Sequence, residues 1–309
     1  MTESAMDAEV FGAPAWVWAQ LCAAVFAIST AGVAFQQLTN IPPLLLASWR
    51  MQATALLLAV GAVREWRVAS DDLRARWFKT WPRLGFSGAC LGAHFGAWVA
   101  GLQTTTLARS LLLVCTTPLF IAFGALALCL PSSTGELAGA ALGFVGVAMV
   151  ASDRHDGERE RATWQGDTLS LGAAFYIVGY MLVGADVRRW MPLCMYAGPV
   201  TAVAAVCTGL VSYLTEETEH AGGIVGWAFG GVALNFFVTM YLAVVPGLVG
   251  HTGYIGVLKH ISPLVVSTSL TMEPFLGSAL GYAVGLADAP GWRTGLGGVV
   301  IVAAVITVI

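Results

Sequence analysis

The sequence predicts an all-α membrane protein of ten transmembrane helices, arranged as two inverted five-helix repeats. Composition, the length of the apolar runs, and a weak internal repeat predict it. The 309 residues are 57% hydrophobic and only 11% charged, with a mean hydropathy of +0.76. Soluble domains run at roughly 45–50% apolar and about 25% charged, so a water-facing surface of ordinary size cannot be built from this chain. The net charge of -3 and the absence of a dominant basic cluster argue against nucleic acid as a partner. Continuous apolar runs such as 44–63 are about twice the length of a barrel strand and match a spanning helix of about 20 residues.

Taken in order, the expected spans are 15–37, 42–63, 82–102, 107–130, 135–152, 167–187, 192–213, 236–258, 263–286 and 292–309. Residues 1–14 form an N-terminal tail, 15–152 the first repeat, 153–166 a polar linker and 167–309 the second repeat. Residues 222–235 are apolar and Gly-rich, and read as an interfacial lead-in to the eighth span. Cytoplasmic loops collect Lys and Arg. Arg64, Arg67, Arg74, Arg76, Lys79 and Arg83 follow the second span, Arg188 and Arg189 the sixth, and Lys259 with His260 the eighth. Odd-numbered loops are acidic or mixed, as Glu216, Glu217 and Glu219 illustrate. Even loops and both termini are therefore expected in the cytoplasm; whether the membrane is plasma or organellar is left open. All six cysteines fall in apolar runs without a CxxC pair, which reads as reduced, buried small side chains.

The two halves match weakly but in order. Gly139–Ala148 matches Gly295–Ala304 and Pro118 matches Pro274, both at an offset of 156. His94 matches His251 and Gly96 matches Gly253 at 157, and Phe26 and Ile28 match Phe175 and Ile177 at 149. Five is odd, so the second copy enters the membrane upside down. Inverted repeats with polar groups near the midplane are an architecture of secondary transporters.

In this light the chain resembles the drug/metabolite transporter superfamily, EamA type, over about residues 15–309. The resemblance rests on Val245-Pro246, Gly250-His251-Thr252, Leu258-Lys259-His260-Ile261-Ser262-Pro263 and Glu273-Pro274. In the first half it rests on Ala93-His94-Phe95, Thr106-Leu107-Ala108 and Pro118-Leu119. It implies ATP-independent export or exchange of a small metabolite or drug-like solute, without fixing which. The Lys-Arg pair in the ninth span that a phosphate antiporter would lead one to expect is absent.

Ionisable residues at the centre of a span cost about 2.5–3.5 kcal/mol each on insertion scales, so they point to function. Arg50 and Glu273 lie near the middles of the second and ninth spans. Glu273 is a candidate proton-coupling carboxylate or a contact for a cationic solute group. The competing readings are a static Arg50–Glu273 salt bridge, Glu273 bonded to backbone freed by Pro274, and an Arg50 that snorkels to the headgroups. His94 and His251 are candidates for proton relay or for binding a solute carboxylate, against a packing role. Tyr180 and Tyr254 are candidate cavity residues, against aromatic packing. Pro118 and Pro274 are expected to kink their helices at equivalent depth. Arg109 reads as a snorkelling residue, Lys259 as an anchor, and Gln103 and Asn235 as outer-rim groups. The rows Gly139, Gly143, Gly146 and Gly291, Gly295 read as helix packing, with a homodimer seam as the alternative.

The predicted function is alternating-access transport, proton- or exchange-coupled, with a small solute and the lipid bilayer as partners. It is not expected to be an enzyme, and no metal, P-loop or dinucleotide motif signals a cofactor. A channel-like pore is the alternative. An intramembrane serine protease is a remote one: Gly85-Phe86-Ser87-Gly88 fits a short G-x-S-G pattern, with His251 as its base.

Overall fold

The computed structural model describes residues 9–10, 12–129, 132–152, 163–285 and 289–309. Most of the 1–14 tail and of the 153–166 linker lies outside the described residues, as do positions 130 and 286 at the ends of the fourth and ninth expected spans. After a two-residue antiparallel pairing of β1 (Glu9–Val10) with β2 (Ala13–Pro14), the described chain is helical. The first apolar stretch is α1 (Ala15–Ser29), α2 (Ala31–Phe35) and a 3-10 turn at Gln36–Leu38. Then come α3 (Pro43–Val68), α4 (Asp71–Thr104), α5 (Leu107–Val114), α6 (Thr117–Ala127) and α7 (Thr134–Ala151). The second half holds α8 (Trp164–Val187), α9 (Leu193–Thr215), α10 (Gly226–Phe229) and α11 (Ala233–Leu242). A π-helical stretch (Ala243–Thr252) leads into α12 (Gly253–Val257), followed by α13 (Pro263–Leu270), α14 (Glu273–Ala283) and α15 (Trp292–Val308).

Seven helical stretches among the described residues are long and apolar enough to cross a bilayer: Ala15–Leu38, Pro43–Val68, Arg109–Ala127, Thr134–Ala151, Trp164–Val187, Leu193–Thr215 and Ala233–Val257. They make this a multi-pass helical membrane protein. The other helical segments do not meet that standard. A span was expected at 82–102, but α4 already begins at Asp71. Ser70 caps it by accepting from the Leu73 N–H at 3.3 Å, and Asp71 and Asp72 sit in the first turn, where the helix dipole favours anions. The ninth expected span is divided into α13 and α14, and α15 is a shorter apolar helix.

Kinks are expected at Pro118 and Pro274, and the α-helical winding is interrupted just before each of them. Each proline lies in the first turn of a second half-helix, after breaks at Cys115–Thr116 and Thr271–Met272. Proline fits there because the first-turn N–H has no intrahelical partner to lose.

Packing is by close helix pairs. α3 lies along α9, α4 along α8, and α7 along α15. At the last of these, a Cβ on Gly146 would come within 2.9 Å of the Gly297 carbonyl, and a Cβ on Gly297 within 2.7 Å of the Gly146 carbonyl. Only glycine permits that approach. This spends the Gly139–Gly146 row inside the chain, where a dimer seam was the alternative. Gly295, which sequence assigned to the packing row, is exposed with open space at its Cβ; Gly297 and Gly298 serve instead. Cys22 and Cys129 are likewise exposed, not buried.

Candidate functional site

Four helical stripes converge on the middle of the bundle. On α3 the buried stripe runs through Leu46, Arg50 and Ala53; on α4 it runs through Ser87, Leu91, His94, Phe95 and Trp98. These i, i+3, i+4 spacings put each polar member on a face that is otherwise apolar. His251 comes from the π-helical stretch and Tyr254 from α12 just after it. Glu273 opens α14. Together with Ile28, Ile177, Met181, Cys115, Thr117 and Pro118 they line a partly enclosed cavity of about 60 Å³. Arg50, His94, His251, Glu273, Tyr254, Pro118 and Trp98 thus share one space, though they come from both halves of the chain.

Arg50 is 1% exposed, so it does not snorkel. Its guanidinium carbon lies 4.0 Å from the centre of the Phe95 ring and 5.9 Å from that of Phe35. A cation held over an aromatic face gains about 2 kcal/mol when desolvated. No ion pair or hydrogen bond to Arg50 forms among the described residues, and its Nη1 is buried without a partner. The static Arg50–Glu273 salt bridge is therefore not formed. Glu273 is 9% exposed and also makes no hydrogen bond among the described residues. Its position in the first turn of α14 lets the helix dipole stabilise a carboxylate there by about 0.3–1 kcal/mol. Trp98 Nε1, on the same cavity, is a second buried donor without a partner.

The histidines are better anchored. His94 Nδ1 is 2.8 Å from the Ala173 carbonyl. A carbonyl only accepts, so Nδ1 carries the hydrogen and Nε2 is the nitrogen left free. His251 Nδ1 is 3.0 Å from the Tyr254 hydroxyl, and the two imidazole rings are 6.3 Å apart. Tyr180 does not line the cavity. It packs behind, edge-on to Tyr254 at 6.3 Å and stacked on Tyr196 at 6.4 Å. The Ser87 hydroxyl is 2.7 Å from the Tyr196 hydroxyl and lies outside the cavity lining.

The helix ends carry features that sequence reading missed. α3 and α9 both start behind a proline, Pro42 and Pro192, with no side-chain cap of their own. Glu216, at the end of α9, accepts from the Leu44 and Leu45 N–H groups at 2.9 Å each. Glu65, near the end of α3, accepts from the Met195 N–H at 2.7 Å. Each helix of the pair therefore caps the other. The available signal was a helix start with no Ser, Thr, Asp or Asn before it. Arg109 does not snorkel free: it pairs with Asp167, which also accepts from Thr105 at 2.9 Å. Asn235, expected at an outer rim, is buried, and Gln103 donates to the Ile41 carbonyl at 3.1 Å. Lys259 is exposed at the α12–α13 turn.

No protein-family model matches the chain, and no curated protein matches it. A solved structure described only as a crystal structure of a protein superposes with a TM-score of 0.72 at 19% identity, over 95% of this chain and 96% of that chain. At that identity the likeness shows a shared fold alone.

Proposed function

We propose that this protein is a secondary transporter that moves a small metabolite or drug-like solute across a membrane by alternating access, built as ten spans in two inverted five-helix repeats of the drug/metabolite transporter, EamA type. The observation that carries the reading is the cavity. An interior space lined by an arginine and a carboxylate that no protein group pairs, beside two histidines, keeps two charges that are expensive to hold there.

The packing supports the inverted repeat. In two copies of five, α3 and α9 are equivalent second helices and α7 and α15 equivalent fifth helices, and both pairs are in contact. The contact of α4 with α8 is third helix on the other copy's first; α1 with the π-helical stretch and α12 is the same relation exchanged. The reciprocal caps of Glu65 and Glu216 follow that symmetry. In this reading even-numbered loops and both termini face the cytoplasm, which the Lys and Arg asymmetry supports.

The test is flux in proteoliposomes against amino acids, nucleosides, nucleotide sugars and amphiphilic amines, with and without a pH gradient. Saturable, counter-exchangeable flux is the expected result. A single cysteine at Ala31 should also be labelled by an impermeant thiol reagent from either face in turn. Flux that does not saturate would replace the carrier with a pore; labelling from neither face would end the reading.

A further inference from the structure

The unpaired groups around the cavity are not a random set. Two buried donors, Arg50 Nη1 and Trp98 Nε1, lack acceptors, and both side chains flank Phe35 and Phe95. The guanidinium carbon sits over the Phe95 ring, and the guanidinium fork, with its Nη1 unpartnered, is the group here that matches a planar carboxylate. The two broken helices differ in a way that bears on this. α14 opens at the cavity with Glu273, whereas its counterpart α6 opens with Thr117 and has no acidic residue in its first turn. The first repeat thus lacks the carboxylate that the second supplies. The rest of the wall is mostly apolar, with Ile28, Ile177, Met181, Val114 and Leu270 beside Thr117 and Ser267.

Resting on the transport reading above, we propose that the cavity takes a small solute by a carboxylate held between Arg50 and Trp98, with an apolar or aromatic body along the wall, and that the carboxylate arrives together with one positive charge. The charged and titratable groups facing the space are Arg50 from α3, His94 from α4, Cys115 after α5, His251 from the π-helical stretch, Tyr254 from α12 and Glu273 from α14. With neutral histidines, Arg50 and Glu273 cancel. A carboxylate alone would leave one buried negative charge without a partner, which a low-dielectric interior disfavours. The balancing charge is either the solute's own ammonium, facing Glu273, or a proton taken up with the solute.

Four probes on one skeleton separate these terms: 3-phenylpropionate, L-phenylalanine, 3-phenylpropionamide and phenethylamine. Binding to the full-length protein in nanodiscs is read by calorimetry, which needs no flux. The two carboxylates should bind at least about tenfold tighter than the amide and the amine. In weak buffer 3-phenylpropionate should take up a proton on binding, and L-phenylalanine should not. Arg50→Gln should weaken both carboxylates at least about tenfold, and Arg50→Lys should restore part of the loss. Equal binding of all four probes, no binding in the millimolar range, or carboxylate binding without the proton difference overturns the proposal; the probe series on the unaltered protein decides even if the variants do not fold. Loss of this selectivity with two-sided labelling of position 31 intact refutes the carboxylate site alone. Selective binding without two-sided labelling refutes the transport reading alone.

Discussion

Charged groups near the ends of the helices and charged groups at the centre of the bundle are treated in opposite ways. Near the ends several are spent. Arg83 pairs with Asp186 at 2.7 Å, Arg74 with Asp71 at 3.0 Å, and Arg109 with Asp167. Glu65 and Glu216 hold bare helix starts, and Glu136 both closes its own capping box with Ser133 and accepts from Ser262 at 2.6 Å. At the centre, where an unmet charge costs most, Arg50 and Glu273 have no protein partner among the described residues. Pairing where water is near and withholding partners where it is scarce is the reverse of what stability alone selects. The end contacts are therefore read as structure and the central ones as held in readiness for something outside the chain.

This contrast is open to direct attack. The largest effect is expected at Arg50. Arg50→Met should lower solute flux at least about tenfold; combined with Glu273→Gln, so that no lone buried carboxylate remains, it should leave thermal stability in detergent unchanged or raised, since replacing buried charges together by uncharged side chains is often neutral or stabilising by about 1–4 kcal/mol. A fall in melting temperature with flux retained would make Arg50 an ordinary structural residue. Next come the crossed caps. Glu216→Gln and Glu65→Gln should each lose about 1–2 kcal/mol of stability, with cavity binding unaltered. The two ends of α3 are about 39 Å apart at 1.5 Å per residue, so the double variant should lose the sum. Glu273→Gln should flatten the pH dependence of flux; identical pH profiles in the variant and the unaltered protein would remove Glu273 from any coupling role. The smallest effect is at His260, on the α12–α13 turn. Burial first, then the neighbouring Lys259 and Arg188 charges, hold its imidazole below the ordinary range near 6.5, so its NMR titration should fall below that value and Lys259→Ala should move it back up.

Much of the helical layout was legible because apolar run length and the Pro and Ser/Thr/Asp starts are local signals. The run expected at 42–63 is α3 from Pro43, and that expected at 167–187 lies within α8. The error at α4 is instructive. Hydropathy marks where lipid begins, not where a helix begins, and Ser70 with Asp71 and Asp72 starts the helix well before the apolar part. For the site, the expense of a central charge singled out Arg50 and Glu273, and the repeat singled out His94 and His251; all four line the cavity. What sequence could not supply was direction and partnership. Tyr180 falls on the far side of Tyr254, and the roles of Trp98 and Phe95 depend on contacts between distant helices. The reciprocal caps join residues more than a hundred positions apart, beyond the reach of any local pattern.

The stretch from Ala243 to Thr252 winds more loosely than an ordinary helix, with Pro246 inside it. Wider winding means a residue is accommodated there that an α-helical path of the same height would have no room for. Removing a single residue from that stretch would let it tighten to ordinary winding over the same height, re-aiming the side chains within it while the helix beyond holds its place. His251, which lies inside it, would swing from its present direction, so the length of one loosely coiled segment sets the aim of half the imidazole pair.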